Sequence, residues 1–185
     1  MIENDLPKDT VGRITPLSDE KFAARKKAYI EIWGKYGETI LSKMQAELGL
    51  EFEENVLNVY LVSLYDNSHS DPITISMEYE PEMFLEVATH EITHRLLNFN
   101  TKHVDVVAIW TGMFPGESRL TRNHVVVFAT LTYLFVDVLN RPDLLKDERD
   151  SIDADYRRAV EIVDARGYKN IITDFRKHYE THIPK

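Results

Sequence analysis

Residues 89–94 read THEITH and contain side chains of the types that bind and use a metal ion. The motif has the form H-E-x-x-H, and residues four apart on a helix lie one turn apart on the same face. Two imidazoles at that spacing can bind one Zn²⁺, and the glutamate beside the first can reach a water on the metal. The motif therefore predicts a zinc site with His90 and His94 as ligands and Glu91 as the general base.

The same stretch also admits a purely structural interpretation. Arg95 follows Glu91 by four positions, so the two could form a surface ion pair, which contributes only about 0.3–0.5 kcal/mol. The predicted helix, about Glu82–Phe99, has an apolar stripe suited to a core, formed by Leu85, Ala88, Ile92, Leu96 and Phe99. The two histidines lie on another flank, which favours the lining of a cleft.

A catalytic zinc needs a third protein ligand and one open position for water. His124 is the first choice, because it lies among apolar residues in the opening turns of a predicted buried helix and needs a polar partner there. The alternative is a core histidine bonded to a carbonyl or carboxylate. Glu117 is the second choice, although it could be a first-turn acid favoured by the helix dipole. His103 is a weaker candidate, and Asp137 is three to four turns beyond His124, too far to share its metal.

Such a site would also need a donor for the oxygen that becomes negative during hydrolysis. The candidates are Tyr79, Tyr133, Tyr168 and Arg95, and the sequence does not choose among them.

The composition is typical of a globular protein. The chain has 185 residues, 43% of them hydrophobic and 29% charged, which predicts a single domain over 1–185 with a real core. A net charge of −9 argues against nucleic acid as a partner. The absence of cysteine excludes disulfides, thiolate ligands and a cysteine nucleophile. Neither a secretory signal nor a membrane span is visible, so we expect a cytoplasmic protein with no membrane partner.

The first half of the chain predicts a helix and a small sheet. After an irregular lead over 1–17, a helix begins at the N-cap Ser18, and Gly34 and Gly37 are expected to weaken or break it before a second piece, Glu38–Leu48. Two strand-like segments follow and predict an antiparallel hairpin whose second strand is an edge strand, Val56–Tyr65 and Ile73–Tyr79.

The second half predicts helices. A short helix or strand is possible within 101–114, and a long apolar helix over about Arg119–Leu139 should be buried against the motif helix. Residues 141–185 read as amphipathic helices, about Ile152–Ala165 and Asn170–Thr181. The predicted fold class is α+β and mostly helical, with a small antiparallel sheet packed on the motif helix and the long buried helix.

Over roughly residues 56–140 the chain resembles the zincin metallopeptidases, in which an H-E-x-x-H helix follows a small sheet and a later helix brings the third ligand. It looks most like a pared-down gluzincin, whose third ligand is the glutamate of an Asn-Glu pair; here Asn123 and His124 stand in that place. The resemblance implies a zincin-like fold and a small zinc-dependent peptidase. Its substrate would be a peptide or protein, held along the edge strand.

The chain departs from the zincin patterns at several positions. Leu97 and Asn100 stand where the metzincin glycine and third histidine would fall, and Phe128 replaces the gluzincin acid that would orient a bound histidine. Besides a zinc-dependent hydrolase, two alternatives therefore stay open. One is a zincin-like metal-binding domain without catalytic activity that binds a protein partner. The other is a helical domain with a fortuitous motif.

Overall fold

A computed structural model describes residues 17–63, 67–100, 104–146 and 153–182. The helices and strands of these ranges, in chain order, are α1 (Asp19–Leu48), β1 (Tyr60–Val62), β2 (His69–Ser70), β3 (Ile73–Ser76), α2 (Pro81–Phe99), α3 (Val106–Met113), α4 (Arg119–Thr132), a π-helical segment (Tyr133–Val138), a 3-10 turn (Pro142–Leu145), α5 (Ala154–Arg166) and α6 (Tyr168–His182). The predicted fold class, α+β and mostly helical, is confirmed. Most of the predicted irregular lead lies outside the described residues.

The small sheet has the order β1-β3-β2 and is mixed. β1 runs parallel to β3, with Tyr60 opposite Thr74, and β2 runs antiparallel to it, with Ser70 opposite Ile73. The predicted antiparallel pairing of the Val56–Tyr65 and Ile73–Tyr79 segments is therefore wrong. β2 lies in the segment that joins the two predicted strands, and a two-residue turn connects it to β3 in a hairpin. Closing so short a loop has a lower entropic cost than closing a long one.

The prediction that the second segment is an edge strand is also wrong, because β3 is the central strand. Three of its four residues are buried, and β3 packs against α2. The central strand of the sheet therefore packs directly against the motif helix.

Helix α1 is one continuous helix of 30 residues, so the predicted break at its two internal glycines is wrong. The Ser18 hydroxyl caps its start, accepting from the Lys21 N–H at 3.4 Å, and Gly49 ends it with a φ of 68°. Its buried face packs along α2 and carries Tyr29, Gly37, Ile40, Met44 and Leu48. This packing outweighs the propensity cost of the glycines, because tertiary burial supplies most helix stability.

The helices that carry the predicted ligands agree with the sequence. α2 begins at Pro81 and α4 begins after the N-cap Ser118, whose hydroxyl accepts from the Thr121 N–H at 3.0 Å. The two helices pack together, and α4 is buried from His124 to Thr132. The predicted Arg119–Leu139 helix changes to π-helical geometry after Thr132. In the described ranges no helix combines the length and apolarity needed to cross a bilayer.

The ambiguous 101–114 segment contains α3, and the two predicted C-terminal helices are present as α5 and α6, with ends within two residues of expectation. Both pack on α4. The core thus has α4 at its centre, between α2 on one side and the two C-terminal helices on the other.

The two glycines of α1 should respond oppositely to alanine. A Cβ at Gly37 would lie 2.5 Å from the Trp33 indole, whereas nothing lies within 4 Å of a Cβ at Gly34. We expect Gly34→Ala to raise the free energy of unfolding by about 0.5–1 kcal/mol through helix propensity. Gly37→Ala should lower it by roughly 1–3 kcal/mol through overpacking. Urea unfolding measures both, and equal stabilisation by the two variants would show that the indole moves at no cost.

Candidate metal centre

Three buried histidines from two helices bring their ring nitrogens together. α2 carries His90 and His94, whose Nε2 atoms are 3.1 Å apart, and α4 carries His124, whose Nε2 lies 3.2 Å from that of His94. The exposed fraction of the surface is 8% for His90, 6% for His94 and 3% for His124. The structure thus places His124, the third ligand predicted from the sequence, beside the two motif histidines, and the three could hold one metal ion.

The distances from the Nε2 of His94 to those of His90 and His124 suit a tetrahedral ion, and the ligand atoms of all three residues lie within 4.8 Å of one another. With metal–nitrogen bonds of about 2.0–2.1 Å, two ligands of a tetrahedral zinc lie about 3.3 Å apart. The observed distances of 3.1 and 3.2 Å are close to that value. Three ligands on one side of an ion would leave a fourth position for water or substrate.

A backbone carbonyl sets the tautomer of His124. Its Nδ1 lies 2.8 Å from the Leu120 carbonyl oxygen, an acceptor, so Nδ1 carries the hydrogen and the Nε2 lone pair faces the cluster. Leu120 lies one turn earlier on α4, so a carbonyl of the same helix orients the His124 ring. The sequence had left this role unfilled.

Burial keeps two of the imidazoles neutral. It lowers the pKa of His124 to about 4 and holds that of His94 well below its usual value, and in both cases the charge of His90 acts in the same direction. The Nε2 of His94 can carry at most one hydrogen, yet two ring nitrogens approach it. A neutral cluster therefore leaves at least one of these contacts poorly satisfied, whereas a cation among the three would satisfy every lone pair.

Glu91 stands beside this cluster, half-buried. Burial raises the pKa of its carboxyl group, and the nearby charges of His90 and then His69 oppose that rise. The alternative of a Glu91–Arg95 ion pair is wrong. Arg95 instead binds Glu54 at 2.7 Å and also pairs with Asp71, which lies in the turn between β2 and β3.

The other ligands considered from the sequence lie elsewhere. Glu117 binds the guanidinium of Arg158 at 2.8 Å, and Asp137 binds Lys169 at 2.7 Å. Neither belongs to the histidine cluster. His103 lies outside the described residues.

The predicted oxyanion donors are not found at the cluster either. The Tyr168 hydroxyl donates to Asp137 at 2.9 Å, and the guanidinium of Arg95 is committed to its two acids. Among the described residues, neither Tyr79 nor Tyr133 has a ring contact with the three histidines.

Two aromatic residues border the site, although the sequence did not predict that either contacts the histidines. The Tyr156 ring of α5 lies 4.1 Å from the His124 ring and 6.3 Å from the His90 ring, centroid to centroid. The Phe128 ring lies 5.5 and 5.7 Å from the same two rings. Phe128 follows His124 by one turn, a spacing that could have indicated it. Nothing in the sequence distinguished Tyr156 from the other apolar-face residues of its helix.

Comparison of the chain with models of protein families, with curated proteins and with solved structures finds no match. The resemblance to the zincin metallopeptidases stays a prediction. The chemistry of the site must therefore be argued from its own residues.

Metal content tests the cluster directly. Protein purified without chelator and without nickel resin should carry about one equivalent of a divalent metal. His90→Ala, His94→Ala and His124→Ala should each lower metal affinity by tenfold or more, because two ligands hold an ion far less tightly than three. Elemental analysis and titration with a chromophoric chelator measure both quantities.

A matched control exists on α6. His178 and His182 are exposed, lie four residues apart and do not belong to the cluster. Their double alanine variant should keep the wild-type metal content. Full metal retention by His124→Ala would contradict the assignment of the third ligand.

Proposed function

We propose that this chain is a zinc-dependent hydrolase, more specifically a small metallopeptidase. The observation that carries the proposal is the convergence of three buried histidines, with the Nε2 of His94 3.1 and 3.2 Å from those of His90 and His124, beside a half-buried glutamate. Zinc is the favoured metal because three imidazoles with an open fourth position form a ligand set that catalytic zinc uses, and the chain offers no thiolate.

The residues of the site divide into ligands and a proton carrier. His90, His94 and His124 would hold the ion, which lowers the pKa of a bound water and polarises a carbonyl oxygen. Glu91 would accept a proton from the attacking water and would then deliver it to the leaving nitrogen. Its raised pKa supports this double role, since a carboxyl group closer to neutrality is a better acid in the second transfer.

The sheet supports a peptide as the substrate class. β3 is paired on both sides, so it cannot receive an extended peptide, but within the described residues β2 is paired on one side only. β2 packs against α2, and its His69 is close enough for its charge to lower the pKa of Glu91. An extended peptide added to β2 by main-chain hydrogen bonds would therefore run past the general base.

Glutamine at position 91 separates binding from catalysis. We expect Glu91→Gln to keep the metal content of the wild type and to lower hydrolysis of a fluorogenic peptide library by about 10²-fold or more, because the amide cannot accept the proton. Glu82→Gln is the matched control, since Glu82 is an exposed glutamate in the first turn of the same helix. It should leave both metal content and hydrolysis unchanged.

Two results would contradict the proposal in different ways. Undiminished hydrolysis by Glu91→Gln would remove Glu91 from the mechanism. A wild-type protein that binds metal but hydrolyses no member of the library would favour a metal-binding domain that recognises a protein partner without catalysis.

A further inference from the structure

The first turn of α5 is tied across to the first turn of α4. The Asp155 carboxylate accepts hydrogen bonds from the hydroxyl of Ser118 and, at 2.7 Å, from that of Thr121. α5 does not need this carboxylate for its own cap, because Asp153 accepts from the backbone N–H groups of Asp155 and Tyr156 at 2.8 and 3.3 Å. These two hydrogen bonds of the Asp155 side chain therefore run between the two helices.

This tie lies next to the metal cluster on both helices. Thr121 precedes His124 by three residues, so the two lie on neighbouring parts of one helix face. Tyr156 directly follows Asp155, and its ring lies 4.1 Å from the His124 ring with 37° between the planes. A shift of α5 away from α4 would therefore withdraw Tyr156 from the histidine.

Tyr156 acts together with Phe128. The two rings meet edge to face, with centroids 5.5 Å apart and 74° between the planes, and each contacts the rings of both His90 and His124. The Leu120 carbonyl holds only one corner of the His124 ring, at Nδ1. Packing by two aromatic rings limits the remaining tilt about that hydrogen bond.

We propose that Asp155 and Tyr156 are positioning residues of the metal site. Asp155 ties α5 to α4, and the Tyr156 ring holds the imidazoles of His124 and His90 in the orientation that aims their Nε2 atoms at one ion. The inference rests on the metal centre of the proposed function. Groups that orient metal ligands in this way typically change metal affinity by about 10–100-fold when they are removed.

The test uses Co²⁺ as the probe, because its visible absorption bands report the geometry of its ligands. In the full chain, Asp155→Ala and Tyr156→Ala should each weaken Co²⁺ and Zn²⁺ binding by about tenfold or more and should change the Co²⁺ spectrum. Tyr156→Phe keeps the ring and should restore the wild-type affinity and spectrum. Competition with a chromophoric chelator measures the affinities.

Two control variants separate positioning from general loosening of the structure. Glu117→Ala removes the Glu117–Arg158 ion pair, a second tie between the start of α4 and α5. Val163→Ala truncates a buried residue of α5, about 10 Å along the helix from Tyr156. Both should bind Co²⁺ with the wild-type spectrum, although Val163→Ala should unfold at a lower urea concentration.

Each contrary outcome has its own meaning. Wild-type affinity and spectrum in both Asp155→Ala and Tyr156→Ala would overturn the positioning role and leave the metal site intact. An altered spectrum in Val163→Ala, or a Tyr156→Phe variant that behaves like Tyr156→Ala, would overturn the role assigned to the ring. A wild-type chain that binds no Co²⁺ or Zn²⁺ would overturn the proposed function, and the positioning role with it.

Discussion

Burial of three imidazoles at one point between α2 and α4 is the constraint on which the arrangement of this molecule depends. Polar rings removed from water need partners, and rings whose lone pairs converge need a cation or a shared hydrogen. The Leu120 carbonyl meets part of this need by binding Nδ1 of His124. The Nε2 atoms of His90 and His124 lie 3.1 and 3.2 Å from that of His94, separations that are close to the edge of a tetrahedral site. The cluster therefore could hold a metal ion.

Helix α2, which carries two of the three histidines, also packs against elements other than α4. α2 packs against α1 and against β3, and three of the four residues of β3 are buried. The Arg95 guanidinium ties the same helix to Glu54 and Asp71, and it also lies over the Phe99 ring at 3.7 Å. The positive charge of Arg95 is therefore paired with Glu54 and Asp71 and not with Glu91. Burial of the Glu91 carboxyl group raises its pKa, and the charges of His90 and then His69 oppose that rise.

The C-terminal helices complete the site rather than merely covering the core. α5 contributes Tyr156 to the wall beside His124, and the Asp155 carboxylate holds that turn on the start of α4. A metal centre in a chain of this size has few elements available for orienting its ligands. Here a backbone carbonyl and two aromatic rings contact the histidines of the cluster.

Local patterns in the sequence determined the helices that carry the site. The H-E-x-x-H spacing, the cap at Ser118 and the apolar run after His124 depend on residues close in the chain, and α2 and α4 form where these patterns predict. Tertiary structure decided the rest. It kept α1 continuous through Gly34 and Gly37, because burial along α2 outweighs the propensity of single residues. It also paired β1 in parallel with β3 and brought Tyr156 to the cluster. Strand partners and contacts between distant helices depend on packing that no short stretch of sequence encodes.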